Sequence, residues 1–406
     1  MHMTEQIRSK ITADLIECFE DVATDATIGV AVSGGSDSVA MLLALREALP
    51  KATLRVATVD HGLRPEAGEE ARWVGALCSG LGIEHDILPI TNLLLGSNLQ
   101  ARARAARYDA LSEWGLGFEV VCLGHSQTDV AETFLIRLAR GSGVDGLAKM
   151  QARWHNRGLN WARPLLNFSR YDLRCYLRIQ GQSWCEDPSN DDRSYTRVQM
   201  RQIQPQLDEL GLNTARLAKT AARMSSVQKA LAFSLKTIRQ AVIQIDFGDI
   251  VFDRSALAQL PSEYVEQMVA ESLSWIGGQA YKPRNLALLR AISAKTTFSL
   301  HGCVLIPQPG NLLRISREYV AVAKVKSLCP ALWDGRYFAP NHNKTYEIRA
   351  LGAYGLSLCP DWRFDKIPRI ALESSPSVWQ NGQLISAPQA GFGQKDVLQV
   401  VPTPWE

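Results

Sequence analysis

The stretch Ala31-Val32-Ser33-Gly34-Gly35-Ser36-Asp37-Ser38 sets two adjacent glycines and four polar side chains between an apolar run and a helix-forming run. Strand, tight glycine turn and helix N-terminus together make an anion site, because turn N–H groups point outward and the helix dipole favours negative charge. Gly34 and Gly35 let the backbone approach a phosphate with no Cβ in the way. Ser33, Ser36 and Ser38 add hydroxyl donors, and Asp37 suits a magnesium ion. No lysine follows the glycines, so this is not the G-x-x-x-x-G-K-[ST] loop. A turn without a ligand would need the glycines alone.

Two further groups carry chemistry. In Asp60-His61-Gly62-Leu63-Arg64, Asp60 could serve magnesium or a ribose and Arg64 a phosphate; the same Asp could simply cap a turn. In Gly124-His125-Ser126-Gln127-Thr128-Asp129-Val130-Ala131-Glu132, residues 125, 129 and 132 stand at i, i+4 and i+7. On a helix they share one face within roughly 60°, and their carboxylates could bind an ammonium and accept its proton. A solvated helix face would look the same. Residues 151–229 hold 13 Lys and Arg against 7 Asp and Glu, with tryptophans and tyrosines interleaved. Cations for phosphates and aromatics for stacking suit RNA.

The elements that must position these groups follow from periodicity. Strands are expected at 28–32, 54–59, 85–88 and 120–123, and helices at 37–48, 66–80, 99–114 and 128–138. This alternation predicts an α/β fold with a doubly wound parallel sheet. In such sheets ligands bind at the carboxyl ends of the strands, where all three groups fall. Further helices are expected at 171–180, 214–242 and 261–275, then a hairpin turning at Pro309-Gly310-Asn311. The expected division is 1–211 for the α/β domain, 212–325 for a helical or mixed domain, and 326–406 for a small mostly-β module.

The totals narrow the class. There are 406 residues, 46% hydrophobic and 21% charged, with a formal net charge of +3, ordinary for a globular protein. An anionic partner must therefore be met by a local patch. The 8 cysteines include no C-x-x-C pair, which argues against a disulfide framework, a zinc site or a paired-cysteine redox centre. No signal-peptide core and no apolar run of membrane-spanning length is seen, so a cytoplasmic protein with no membrane partner is expected. Oligomeric state is left open.

The chain resembles the PP-loop ATP pyrophosphatase superfamily, whose mark S-G-G-x-D-S is complete at Ser33-Gly34-Gly35-Ser36-Asp37-Ser38. Within it the chain is similar to the tRNA(Ile)-lysidine synthetase family. Supporting stretches run in family order through 59–64, 98–108, 124–133, 140–147, 163–165 and 184–201, with a weaker likeness at 296–318. Three positions depart from the family pattern: Ser126, Thr128 and Val198.

The resemblance implies ATP as co-substrate with Mg2+, a tRNA(Ile) with a CAU anticodon, and free L-lysine. Lysine would be ligated to C2 of the wobble cytidine through an adenylated intermediate, releasing AMP and pyrophosphate. It implies ATP binding by residues 33–38, Asp60 and Arg64, and catalytic roles for Asp37, His125, Asp129 and Glu132. It also implies lysine binding by Asp129 and Glu132, and tRNA binding by Arg107, Arg197 and Arg201. The alternatives are another PP-loop tRNA-modifying enzyme or a non-catalytic RNA-binding protein. Sulfur transfer would ask for a cysteine pair that is not present.

Overall fold

A computed structural model describes residues 2–62, 67–90, 99–186, 196–279, 283, 285–340 and 346–405. They form two compact units, 1–229 and 230–406, and the breaks expected at 211 and 325 fall inside them.

The first unit opens with α1 (His2–Cys18), which the sequence reading passed over, and continues with β1 (Thr27–Ala31), α2 (Ser36–Ala48), β2 (Thr53–Asp60) and α3 (Ala67–Leu81). Next come β3 (Glu84–Pro89), α4 (Leu99–Trp114), β4 (Val120–Leu123), α5 (Gln127–Ala139) and α6 (Val144–Leu147). It ends with the hairpin β5 (Arg153–Asn156) and β6 (Leu159–Ala162), then α7 (Arg170–Ile179), α8 (Thr196–Glu209) and the start of α9 (Thr214–Val242). The six strands lie in the order β3-β2-β1-β4-β6-β5.

β1, β2, β3, β4 and β6 are parallel, and β5 closes the edge antiparallel to β6. The doubly wound sheet expected from the alternation is present, extended by a hairpin too short to show a period. β1 sits between β2 and β4, so its residues Ile28 and Val30 are fully buried, as are Met41, Leu42 and Leu45 on α2 packed against it. Gly29 has no room for a side chain: a Cβ there would lie 2.8 Å from the Trp114 ring.

α9 begins inside the first unit because its apolar face has a partner there. Leu217, Ala218 and Ala221 pack on Val130, Ala131, Phe134 and Leu166.

The second unit is built on a five-stranded antiparallel sheet. Its hairpin, Cys303–Gln308 with Leu312–Arg317, turns where the sequence predicted. Val304 and Ile306 share a core with Leu351, Leu356 and Leu372, so the mostly-β segment after 326 does not stand apart. Among the described residues no helix is long and apolar enough to cross a membrane.

The α2 packing gives a direct test. Leu42→Ala removes a fully buried side chain and is expected to cost about 2–5 kcal/mol of stability, measured by denaturant unfolding.

Candidate active site

The turn after β1 is held shut by its own side chains. The Ser33 N–H donates to Ser38 Oγ at 3.1 Å, and Ser38 Oγ donates to the Gly35 carbonyl at 2.9 Å. Gly34 has φ +88°, a conformation that costs a glycine little. Gly35 caps α2, so Ser36 and Asp37 open the first turn with N–H groups that lack intrahelical partners, while the Ser38 N–H donates to the Gly35 carbonyl at 3.1 Å. Cys185 fastens the far side, its N–H donating to the Gly34 carbonyl at 2.9 Å. Gly124, at the end of β4, lies against the same turn. A Cβ there would come within 2.9 Å of Ser38 Cα, so only glycine lets the two strand ends meet.

That contact brings the second group to the first. His125 lies before α5 and not on it; Ser126 is the cap, and its N–H donates to Asp129 Oδ2 at 2.9 Å. The helical face expected for 125, 129 and 132 is therefore formed by Asp129 and Glu132 alone. His125 still lines the same cleft as Asp129, because the end of β4 points it there. Its Nδ1 is buried with no hydrogen-bond partner. Burial, with Arg163, Arg107 and Arg104 near, pushes its pKa down to about 3, so the ring is neutral at pH 7. Burial alone would raise Asp129. A charge on His125 would lower it, and the Ser126 N–H, Arg170 and Arg197 hold it below the usual carboxylate range.

Glu132 is 4% exposed. It accepts from Arg201 Nε at 2.5 Å and lies 3.7 Å from Arg170 Nη1, and it is not among the residues that line the cleft. Burial raises its pKa against the pull of Arg201.

Arg170 is the residue that the sequence reading missed. Its Nε donates to Asp37 Oδ2 at 3.2 Å, and its other nitrogens lie 3.9 Å from Asp129 and 3.7 Å from Glu132. It stands at the first position of α7, where Ser169 and Asp172 form a capping box. Its N–H donates to Thr128 Oγ1 at 3.0 Å. The capping pattern was legible; that this helix end would face α5 was not. Arg174, one turn on, reaches Ser36 Oγ at 3.4 Å.

These groups surround one cleft of about 760 Å3, lined also by His61, Arg107, Arg197 and Arg201. Asp60 is not among its lining residues. Its carboxylate accepts from the Gly62 N–H at 2.9 Å, the turn-capping alternative, and His61 is the side chain of that group which faces the cleft. Arg64 lies outside the described residues. A side chamber of about 240 Å3 is walled by His61, Arg104, Arg107, Tyr108 and His125.

Comparison with known proteins now decides the family. A model of the PP-loop domain matches residues 3–207. The chain is 42% identical over 373 residues to the tRNA(Ile)-lysidine synthase of Ruegeria pomeroyi, covering 90% of this chain and 89% of that protein. It is 31% identical over 396 residues to the tRNA(Ile)-lysidine synthase of Wolbachia pipientis wMel, covering 91% and 90%.

The chain belongs to the tRNA(Ile)-lysidine synthase family.

Among solved structures, the U34-tRNA thiolase NcsA from Methanococcus maripaludis is similar over 55% of this chain and 80% of its own, at 16% identity and a TM-score of 0.47. With the family known, Ser126, Thr128 and Val198 take on particular interest. Ser126 is fully buried between Asp37 and Asp129, Thr128 seats Arg170, and Val198 lines the cleft.

The depressed His125 pKa has a consequence for stability. Below about pH 6.5, the ordinary histidine value, the unfolded chain takes up a proton that the folded ring refuses until about pH 3. Stability therefore falls as pH drops through that window. His125→Asn should flatten the loss between pH 6 and 4 in denaturant unfolding measured across pH.

Proposed function

We propose that this cleft adenylates the wobble cytidine of a tRNA(Ile) with a CAU anticodon and then joins L-lysine to its C2, releasing pyrophosphate and AMP. The observation that carries the reading is the shared cleft: the 33–38 turn, Asp129 and several arginines open into one cavity.

The cytosine C2 oxygen is a poor leaving group. Attack by that oxygen on the α-phosphate of ATP forms the new P–O bond and expels pyrophosphate. Negative charge grows on the phosphates, and the first-turn N–H groups of α2 with the serine hydroxyls stabilise it. Asp37 would hold magnesium. A magnesium ion that takes its remaining ligands from phosphate and water needs only one or two carboxylates, and Asp37 is a hard oxygen donor beside the cradle. Among the described residues no cluster of three or more such ligands converges, which suits an ion brought with its nucleotide. When bound, it neutralises phosphate charge.

In the second step the lysine ε-nitrogen bonds to C2 and the C2–O bond breaks with AMP as leaving group. The amine must first lose a proton. With an unperturbed pKa of about 10.4 this costs about 4–5 kcal/mol at pH 7. Arg107, Arg170, Arg197 and Arg201 surround the cleft, and like charges lower an ammonium pKa. Asp129, ionised on the cleft wall, binds the ammonium and takes its proton. Glu132 works from behind, holding Arg201 and Arg170 in place. Arg107, Arg197 and Arg201 meet RNA or nucleotide phosphate. The target base leaves its stack to enter, as chemistry on single-stranded loops requires. The chain from 212 to 406 holds the tRNA body.

The test is tRNA-dependent incorporation of labelled lysine, with ATP–pyrophosphate exchange and identification of the modified nucleoside. Transfer of another group to the cognate tRNA would favour a different tRNA-modifying reaction, and tRNA binding without turnover would favour a binding protein. Two variants sharpen the assignment. Asp37→Ala should lower AMP formation by at least about 100-fold while filter-binding affinity for tRNA stays within about twofold of wild type. Glu132→Gln weakens a charge-assisted bond worth about 1.5–3 kcal/mol. It should raise the KM for lysine about tenfold and that for ATP far less, in steady-state kinetics.

A further inference from the structure

Ser126 is buried between two carboxylates. Its Oγ lies 3.0 Å from Asp37 Oδ2 and 3.0 Å from Asp129 Oδ2. A hydroxyl has one hydrogen to donate, so it serves one carboxylate at a time. Arg170 also bridges the two, with its Nε on Asp37, a second nitrogen 3.9 Å from Asp129 and a third 3.7 Å from Glu132; having several donors, it can shift its weight between them. The same oxygen of Asp37 takes both partners. The other Asp37 oxygen accepts from Ser36 Oγ at 3.1 Å, so a cation that takes Oδ2 competes with both and leaves them to Asp129.

We propose that Ser126 and Arg170 form a linkage that sets the order of the two half-reactions by making the amine subsite at Asp129 weak while the nucleotide side at Asp37 is occupied. This rests on the reading of the cleft given above and adds the coupling between its halves. With magnesium and triphosphate at Asp37, the Ser126 hydrogen settles on Asp129 and the Arg170 guanidinium leans toward it. Asp129 is then satisfied, and an incoming ammonium must displace partners already in place. Once pyrophosphate departs, Asp37 takes back the hydroxyl and the guanidinium, and Asp129 becomes available to the amine. Lysine is thus admitted after activation. By linkage the effect is reciprocal: lysine at Asp129 weakens nucleotide binding by the same factor.

The experiment is calorimetric titration of lysine into the full-length protein, with and without a non-hydrolysable ATP analogue and Mg2+. In the wild type the analogue should weaken lysine binding at least about fivefold, the lower end of ordinary coupling. Ser126→Ala should bring the ratio below about twofold, and Ser126→Thr, which keeps the hydroxyl, should restore it. A residue that only supported the fold would change both affinities and leave their ratio alone. Should Ser126→Ala not fold, Arg170→Met cuts the linkage from the other side and must lower the ratio likewise. A wild-type ratio of one, or a ratio unchanged in Ser126→Ala, overturns the linkage while lysine binding stands. Absence of lysine binding in every protein overturns the lysine reading and the linkage with it.

Discussion

Three carboxylates, Asp37, Asp129 and Glu132, are buried within reach of one guanidinium, that of Arg170. Like charges taken out of water cannot stay ionised without compensation. Much of the first unit supplies it. α7 begins at a capping box that presents Arg170, α8 brings Arg201 to Glu132, and the start of α5 turns the Ser126 hydroxyl and N–H inward. Cations alone would fill the cleft with salt bridges. The Arg170 contacts to Asp129 and Glu132 are longer, at 3.7–3.9 Å.

The second unit solves a similar problem differently. Arg314 pairs with Asp249 and Asp246, and Asp334 takes both Arg317 and Arg336. Ser316 adds a second donor to Asp249. Here the buried charges have close partners and line neither described cavity. Such pairs contribute little net stability, yet removing one partner is costly because it strands the other. Arg314 ties its strand to those of Asp249 and Asp246 within the five-stranded sheet, and Asp334 joins Arg317 to Arg336 beyond it.

Legibility in the sequence tracked how local each feature is. The 33–38 turn was legible because strand, glycines and helix start are contiguous, and their packing follows from backbone geometry. The strands of β1 to β4 and the helices between them were legible because burial imposes a period. The 125–132 face was half legible. Asp129 and Glu132 are on α5, but a capping serine at 126 starts the helix too late to include His125. Asp60 shows the limit of type and position alone, since an Asp at a strand end can face a ligand or its own turn, and here it bonds to Gly62. The hairpin β5–β6 is too short to show a period, whereas α1 carries a readable stripe of Ile7, Ile11 and Leu15, continued by Phe19 just past its end, at four-residue spacing.

By itself the sequence determined the fold class of the first unit, the 33–38 strand–turn–helix and the family, because these depend on residues adjacent in the chain or on a repeating pattern. Only the tertiary structure decided which of the charged residues share the site. Arg170 lies 133 residues from Asp37 and 38 from Glu132 in sequence, and no spacing rule joins them. They meet because β1 and β4 are neighbours, because Gly124 leaves space against Ser38, and because the Gln127 N–H bonds to the Phe168 carbonyl at 2.7 Å, bringing the ends of α5 and α7 together. Burial of like charges then selects the arginines and the serine hydroxyl that can satisfy them, and that selection is made in space.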